Sequence, residues 1–393
     1  MKKTIRDFDL EDKKVLIRCD FNVPLDNGCI VDDTRIVRSL DTIKYALSNN
    51  AKVIIFSHLG RVKTFEDKEK LSLEVVAKRL SELLNLSVVF SSVTRGEELE
   101  NKISNMNNGD VLLVQNTRFE DLDDKKESSN NEELGKYWAS LGDIFINDAF
   151  GTIHRSHASN VGISKHLDSG IGFLVEKELE KLSVLDSPLK PFDVIMGGAK
   201  VSDKIGVIKN LIDKCDHILI GGGMAYTFLK AKGIEIGNSI LDDENIDFCK
   251  EMISKYSNKI ILPIDHIVSL GTDDNNVMVK NIDSIKDSEM GLDIGPKTIE
   301  LYKSILSNSK TVLWNGPLGY SEVKSFEKGT KEILEFIVSL DIVSVLGGGD
   351  IVAAANRYNL ADKVFHASTG GGATLCYLEG NDLPGLKYIK DKE

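Results

Sequence analysis

Charged and polar residues recur at the ends of short apolar runs, and their types differ between the two halves of the chain. In the first half, the run at 15–17 leads to Arg18, Asp20 and Asn22. The run at 53–56 leads to His58 and Arg61, and the run at 111–114 to Asn116 and Arg118. The run at 144–146 leads to Asn147 and Asp148, then to His154, Arg155 and His157. Arginine grips phosphate or carboxylate in a planar, two-pronged way, whereas lysine is a mobile point charge. One such arginine is explained as well by a solvated ion pair. Four strand ends that each bring a cation or a cation-capable partner to one rim suit a small, multiply charged anion. Arg35 follows Asp32 and Asp33, which read as the cap of a helix carrying Ile36 and Leu40. A cation in a first helical turn opposes the helix dipole. Either it pairs with Asp32 or Asp33, or it holds an anion jointly with the helix end.

The second half puts glycine where the first puts arginine. Met196 is followed by Gly197, Gly198, Ala199 and Lys200; Ile220 by Gly221, Gly222 and Gly223; Leu346 by Gly347, Gly348, Gly349 and Asp350. Phe365 leads through Ser368 and Thr369 to Gly370, Gly371 and Gly372. Glycine lets a backbone approach a ligand and offer its N–H donors. Four such clusters at one rim read as a cradle for a nucleotide and its phosphates. Lys200 and Lys204 are expected at the start of a helix running through Ile205, Ile208 and Leu211, on one face, where like charges repel. Asp203 or a bound anion would relieve them. Asp350 reads either as an N-cap or as the carboxylate that holds Mg2+ together with phosphate oxygens. No Gly-x-x-x-x-Gly-Lys-Ser/Thr loop is present. No Gly-x-Gly-x-x-Gly follows the first strand. The histidines and cysteines form no zinc-type grouping.

These residues need elements to place them. The apolar runs read as buried strands of parallel sheets, with further runs at 88–90, 194–196, 218–220, 260–262, 311–314, 343–346 and 364–365. Helical patterns lie between them. The fold class implied is α/β, with two doubly wound, Rossmann-like parallel-sheet domains of five and six strands joined by a hinge helix. The expected bounds are 1–170 plus about 376–393 for the first domain, 171–190 for the hinge and 191–375 for the second. One helix is expected over 173–182, and an exposed acidic loop over 121–133. The 393 residues, 41% hydrophobic and 28% charged, suit a soluble two-domain protein. A net charge of −12 argues against nucleic acid as a partner. No apolar run spans a membrane, and the N-terminus lacks the core of a signal peptide. Five scattered cysteines fit a reducing cytoplasm.

Several segments resemble the signatures of the phosphoglycerate kinase family. They are Arg18-Cys19-Asp20-Phe21-Asn22-Val23-Pro24, Ser57-His58-Leu59-Gly60-Arg61, Asp148-Ala149-Phe150-Gly151-Thr152 and Gly197-Gly198-Ala199-Lys200-Val201-Ser202-Asp203-Lys204. Further matches are Gly291-Leu292-Asp293-Ile294-Gly295-Pro296, Trp314-Asn315-Gly316-Pro317, the segment 221–229, Gly347 to Asp350 and Ser368 to Gly372. They follow the family's order over nearly the whole chain. The resemblance implies a 3-phosphoglycerate site at Asp20, Phe21, Asn22, Arg35, His58, Leu59, Gly60, Arg61, Arg118 and Arg155. It implies a nucleotide site at Lys200, Lys204, Gly291, Asn315, Glu322, Gly349, Asp350, Ile351, Val352 and Thr369, with Asp350 holding Mg2+ as the Mg-nucleotide. Arg35, Lys200 and the backbone at Gly371 would stabilise the phosphoryl group in flight. The chain departs from the family pattern at Val62, Gln115, Ser321 and Ile351. The last change removes a hydroxyl expected near the phosphates.

The reaction implied is reversible phosphoryl transfer between ATP and the carboxylate of 3-phosphoglycerate, giving 1,3-bisphosphoglycerate and ADP, in a cytoplasmic monomer. A carboxylate is already a nucleophile, so positioning and charge neutralisation would suffice, with closure about the hinge helix joining the substrates. A nucleotide-binding scaffold without catalysis and a nicotinamide dehydrogenase are the other readings. The pair Arg35 and Lys200 weighs against the first, and the missing dinucleotide fingerprint against the second.

Overall fold

The computed structural model describes residues 1–273 and 276–392. The chain divides into two compact units: Met1–Glu180 with the tail from Asp382 onward, and Lys181–Asn381.

The first unit is built on strands β1 (Lys14–Cys19), β2 (Lys52–Phe56), β3 (Val88–Phe90), β4 (Val111–Leu113), β5 (Ile144–Asp148) and β6 (Ser169–Ile171). They form one parallel sheet in the order β3–β4–β2–β1–β5–β6. Side chains alternate across it. Val15, Ile17, Val53 and Ile55 pack on Ile36, Leu40 and Ile43 of α1 (Thr34–Ser48) and on Val76 and Leu80 of α2 (Glu74–Leu84). Leu16, Ile54, Phe56 and Phe145 pack on Leu99 of α3 (Glu97–Ser104) and on Leu134 and Trp138 of α4 (Glu132–Ala139). Covering both faces is what makes the strands continuous apolar runs. Register sets Arg18 beside Phe56 and Asn147, so the residues that follow β1, β2 and β5 leave the sheet at one rim.

Helix α5 (Phe173–Leu182) crosses the division between the units. Its start is fastened to the first unit. Thr42 Oγ1 accepts from the Phe173 N–H, and Asp148 Oδ1 accepts from the N–H groups of Leu174 and Val175. The tail rejoins this unit where the Gly385 N–H donates to the Ile153 carbonyl at 2.8 Å.

The second unit contains β7 (Phe192–Met196), β8 (His217–Ile220), β9 (Ile260–Ile261), β10 (Asp265–Ser269), β11 (Met278–Asn281), β12 (Met290–Ile294), β13 (Thr311–Asn315), β14 (Val343–Leu346) and β15 (His366–Ala367). Six of them make a parallel sheet, β9–β8–β7–β13–β14–β15, and three a small antiparallel sheet, β11–β10–β12. The helices are α6 (Ile205–Leu211), α7 (Met224–Ala231), α8 (Ile246–Lys255), α9 (Pro296–Leu306), α10 (Lys328–Ser339), α11 (Gly349–Arg357) and α12 (Gly372–Leu378). Ile195, Val312 and Trp314 of the sheet meet Tyr302 of α9, Ile333 and Ile337 of α10, and Ile351 of α11 in one core.

Four expectations change. The first sheet has a sixth strand, β6, whose Ser-Gly-Ile sequence carries no apolar run. The antiparallel sheet was not foreseen. The strand expected at 364–365 lies two residues later, because the Phe365 ring sits at the surface under Lys181 Nζ, 4.1 Å from its centroid. The segment 121–133 is not simply an exposed loop: it opens with a helical turn, Asp121–Asp124, and buries Glu127 completely.

Candidate active site in two cavities

In the first unit Arg61, Arg118, Arg155 and His157 line one cavity of about 680 Å3, with Val62, Lys63 and Lys125. Arg118 is placed by Asn116, which begins the turn Thr117–Glu120 after β4. Asn116 Oδ1 accepts from the N–H groups of Arg118 and Leu59, and its Nδ2 donates to the carbonyls of Leu59 and Leu71. One buried amide thereby ties the end of β4 to the end of β2. Gly60 is gripped from both sides. Asn22 Oδ1 accepts its N–H at 2.8 Å, and Arg118 Nη1 donates to its carbonyl. Its φ of +61° favours glycine at this turn. Among the described residues, Arg61, Arg118 and Arg155 make no ion pair with a carboxylate.

Beneath the cavity lies a buried network. Arg18, fully buried, donates from Nε to Ser159 Oγ at 2.8 Å and from Nη2 to His58 Nδ1 at 3.2 Å. Because a guanidinium only donates, His58 Nδ1 accepts and its proton rests on Nε2. Glu127 accepts from the Ser159 N–H and hydroxyl, and its charge offsets that of Arg18. Burial, then Arg18, holds His58 well below the usual imidazole value. Burial, then Arg18, Arg118 and Arg155, pushes His157 down to about 3. Both rings are therefore neutral near pH 7, and the positive charge of the lining is carried by the three arginines with Lys63 and Lys125, against one carboxylate, Asp121. Burial, then the neighbouring Arg155 and Arg18, lowers Arg118 itself.

Arg35 pairs with neither residue expected for it. Its Nη1 donates to Asp20 Oδ2 at 2.5 Å. Asp32 Oδ1 accepts from the Thr34 N–H, while Asp33, at the N-cap position, makes no capping bond and pairs with Arg79 at 2.7 Å. Phe21 and Leu59 are core side chains, and both backbone polar groups of Leu59 bond Asn116. Asp148 is no rim residue: it is fully buried as the cap of α5, and burial raises it to about 7.

The second unit holds a cavity of about 480 Å3, lined by Gly198, Gly222, Gly223, Gly291, Leu292, Pro317, Gly319, Tyr320, Glu322 and Asp350, together with Asn238, Ile240, Thr272 and Met290. Its glycines serve two ends. Some are required by the protein's own packing: a Cβ on Gly197 would lie 2.0 Å from the Pro317 carbonyl oxygen, and one on Gly291 would lie 1.9 Å from Tyr226 Oη. Gly349 and Gly371 face open space instead, and Gly371, at φ +52°, begins α12. Thr369 and Gly371 are half-buried, and Glu322 and Asp350 are exposed. Asn315, at the end of β13, is fully buried. Its Nδ2 donates to the Gly347 carbonyl, and its Oδ1 has no hydrogen-bond partner among the described residues.

Lys200 and Lys204 do not share a helix face. Lys200 is exposed in the segment after β7, while Lys204 occupies the N-cap position of α6. Burial lowers Lys204, and the nearby charges of Asp203, Asp350 and Glu379 oppose that. Asp350 is not an N-cap: Gly348 holds that place, and Asp350 lies in the first turn of α11. Ile351 points into the core rather than toward the rim, so a hydroxyl at this position would not stand where one was expected. Val352 packs against the same core. Ser321 and Gln115 have local partners. Arg357 Nη2 donates to Ser321 Oγ and to its carbonyl, while Gln115 Oε1 accepts from the N–H groups of Leu73 and Asn116. Among the described residues no group of three or more His, Cys, Asp or Glu side chains forms a metal site by itself. Asp350, one of two exposed carboxylates with Glu322 in the lining of a glycine-rich cavity, suits a hard cation that brings phosphate oxygens as its remaining ligands. Sequence reasoning missed Glu127, Ser159 and Tyr226. Glu127 sat in a polar run, and nothing local marks it as buried.

The family model described as phosphoglycerate kinase matches residues 5–381. The chain belongs to the phosphoglycerate kinase family. A phosphoglycerate kinase of Macrococcus caseolyticus is 55% identical over 395 residues, and one of Listeria monocytogenes is 55% identical over 394, each across the whole of both chains. The solved phosphoglycerate kinase of Coxiella burnetii superposes with a TM-score of 0.89 at 38% identity, covering 99% of this chain and 98% of its own. That of Pyrococcus horikoshii gives 0.84 at 31% identity, covering 98% of each. No helix among the described residues of this family member is long and apolar enough to cross a membrane.

Proposed function

We propose that the protein transfers a phosphoryl group reversibly between Mg-ATP and the carboxylate of 3-phosphoglycerate, giving 1,3-bisphosphoglycerate and ADP, as a cytoplasmic monomer. The observation that carries this reading is the first-unit cavity. Three arginines without a carboxylate partner surround it, and the nearby histidines are held neutral. Such a charge excess is relieved by a small polyanion.

Arg61, Arg118 and Arg155 would take the anionic groups of 3-phosphoglycerate, with His58 donating from Nε2 and Asn22 and Gly60 shaping the floor. The Asp20–Arg35 pair would orient the end that reacts, leaving the remaining Arg35 donors for the phosphoryl group. In the second unit Gly291, Leu292, Pro317 and Glu322 would hold the nucleoside. Lys200, Lys204, Asn315, Thr369 and the open backbone at Gly349 and Gly371 would hold the phosphates. Asp350 would hold Mg2+, which supplies charge neutralisation on the nucleotide phosphates. Lys200 and Arg35 would neutralise charge that spreads over the transferring group, and no general base is required because the acceptor oxygen is already anionic. Transfer needs both substrates in one water-free space, and we infer closure of the units about α5 as that step.

The test is ADP formation followed by a coupled assay, with 3-phosphoglycerate, ATP or Mg2+ omitted in turn. Turnover that requires all three is expected. Nucleotide binding without turnover in the complete mixture would refute the catalytic reading.

A further inference from the structure

The segment 316–322 forms one wall of the second-unit cavity through Pro317, Gly319, Tyr320 and Glu322, and it faces Gly291 and Leu292 of β12. It is held by two other lining residues, Leu292 and Gly222, and by Thr330 outside the cavity. The Tyr320 N–H donates to the Leu292 carbonyl at 2.7 Å, the Leu318 N–H to Thr330 Oγ1 at 3.0 Å, and the Gly222 N–H to the Leu318 carbonyl at 2.9 Å. Asp293 lies among these anchors with its carboxyl buried. Oδ1 accepts from the Ile294 N–H at 2.9 Å, and Oδ2 accepts from the Gly329 N–H in the first turn of α10 at 2.7 Å. The wall presses directly on this carboxyl. A Cβ built on Gly319 would fall 2.2 Å from Oδ1, and one on Gly329 would fall 2.4 Å from it. Asp293 is not itself a lining residue, yet it directly follows the lining residues Met290, Gly291 and Leu292 on its own strand and is approached by Gly319 of the wall.

We propose that Asp293 is a positioning residue for the nucleotide: its carboxyl fixes the spacing between β12, α10 and the wall segment, and so sets the width of the slot that takes the nucleoside. The proposal rests on the assignment of this cavity to the nucleotide. A carboxyl suits the task because two backbone N–H donors converge on its two oxygens. An amide offers one oxygen and one NH2, so one backbone donor then faces another donor and stays unsatisfied. The glycines at 319 and 329 leave the larger or displaced group no room. The strain therefore passes to the wall rather than being absorbed locally.

The experiment compares Asp293→Asn and Gly319→Ala with the unaltered full-length protein. It measures KM for Mg-ATP, KM for 3-phosphoglycerate and kcat, at a temperature below each protein's unfolding midpoint followed by fluorescence of Trp138 and Trp314, one in each unit. The nucleotide KM is expected to rise roughly tenfold in both variants, through one unsatisfied buried donor in Asp293→Asn and through overlap of the added methyl with the Asp293 carboxyl in Gly319→Ala, while the KM for 3-phosphoglycerate stays within about twofold. A purely structural role would move both KM values or only the unfolding midpoint, and either result overturns the proposal. So does an unchanged nucleotide KM. Ile240→Trp, which narrows the cavity from an exposed lining position, tests the underlying assignment separately. If it leaves nucleotide KM unchanged, the cavity is not the nucleotide site, and the proposal falls for that reason rather than for Asp293's own.

Discussion

In the function proposed above, the two cavities hold phosphate by opposite means. In the first unit the ligand groups are side chains, and their charge is concentrated: Arg61, Arg118 and Arg155 stand around about 680 Å3 without carboxylate partners. Such a site is repelled by its own charges until an anion arrives, and the protein limits the cost from below. Glu127 offsets Arg18, and Arg18 in turn fixes the tautomer of His58. In the second unit the cavity is lined by glycines together with apolar and uncharged side chains such as Ile240, Met290, Leu292, Pro317 and Tyr320, and its charged side chains are exposed. Glu322, Asp350 and Lys200 are exposed, and Lys204 is opposed by three carboxylates. The arginine cavity is preorganised for one small anion. The glycine cavity is a shaped slot whose charge complement is completed by what binds. Substitutions should accordingly separate by substrate.

The largest expected effect tests the rim lysine. Lys200 is exposed, outside any helix and without an ion pair among the described residues, so its removal leaves the fold intact. Lys200→Ala is expected to lower kcat by roughly a hundred- to a thousandfold, as removal of a transition-state donor does, with the KM for 3-phosphoglycerate within about twofold. Near-normal turnover in a steady-state assay would remove Lys200 from the reacting centre and leave the second unit as a binding slot alone.

The next effect sharpens the contrast from the other side. Arg118 is buried, bonds the Gly60 carbonyl and lacks a carboxylate partner. Arg118→Ala should weaken 3-phosphoglycerate binding by about 2–3 kcal/mol, roughly thirty- to a hundred-and-fiftyfold, the loss expected for charged hydrogen bonds. Nucleotide affinity measured by calorimetry on the same protein should not change. Arg118→Lys should not restore binding, because a point charge on a flexible stem cannot reproduce the fork that reaches Gly60 and the anion together. Equal losses for both ligands would mean that the cavities are not independent.

The contrast also explains what the sequence disclosed. Arginine at the end of an apolar run is visible because both the residue and the run are. The register of β1 with β2 and β5 then sets Arg18 level with Phe56 and Asn147, so that His58, two residues past Phe56, leaves the sheet at the same rim. What stayed hidden was the layer beneath. Glu127 and Ser159 look like surface residues in polar stretches, and only long-range folding buries them against Arg18. The glycine clusters were visible too, but their cause was half concealed. Gly197 and Gly291 are glycine because the Pro317 carbonyl and the Tyr226 hydroxyl leave no room for a Cβ, whereas Gly349 and Gly371 have none of those neighbours. Nothing local separates the two kinds. The lysine pair at 200 and 204 does not share a helix face because Lys200 lies five residues before α6 begins. The antiparallel sheet escaped notice because β11 is largely exposed, and its pattern is that of a surface segment.

Ile351 gives the smallest and most selective test. It follows Asp350 in the first turn of α11, where proximity to the rim suggested a contact with phosphate. Its side chain is instead fully buried with Trp314, Ile333 and Ile337. A hydroxyl placed there loses apolar contact and must find a partner within its own helix turn. Ile351→Thr is therefore expected to cost about 1–2 kcal/mol of second-unit stability, read from Trp314 fluorescence in a urea titration, and to leave nucleotide KM within about twofold. The two readouts decide between positions one residue apart. If stability falls and KM holds, α11 presents Asp350 to the ligand and Ile351 to the core, and the first helical turn divides the labour between function and packing. If nucleotide affinity improves instead, the threonine hydroxyl reaches the phosphates, and the slot borrows side chains after all, as the arginine cavity does.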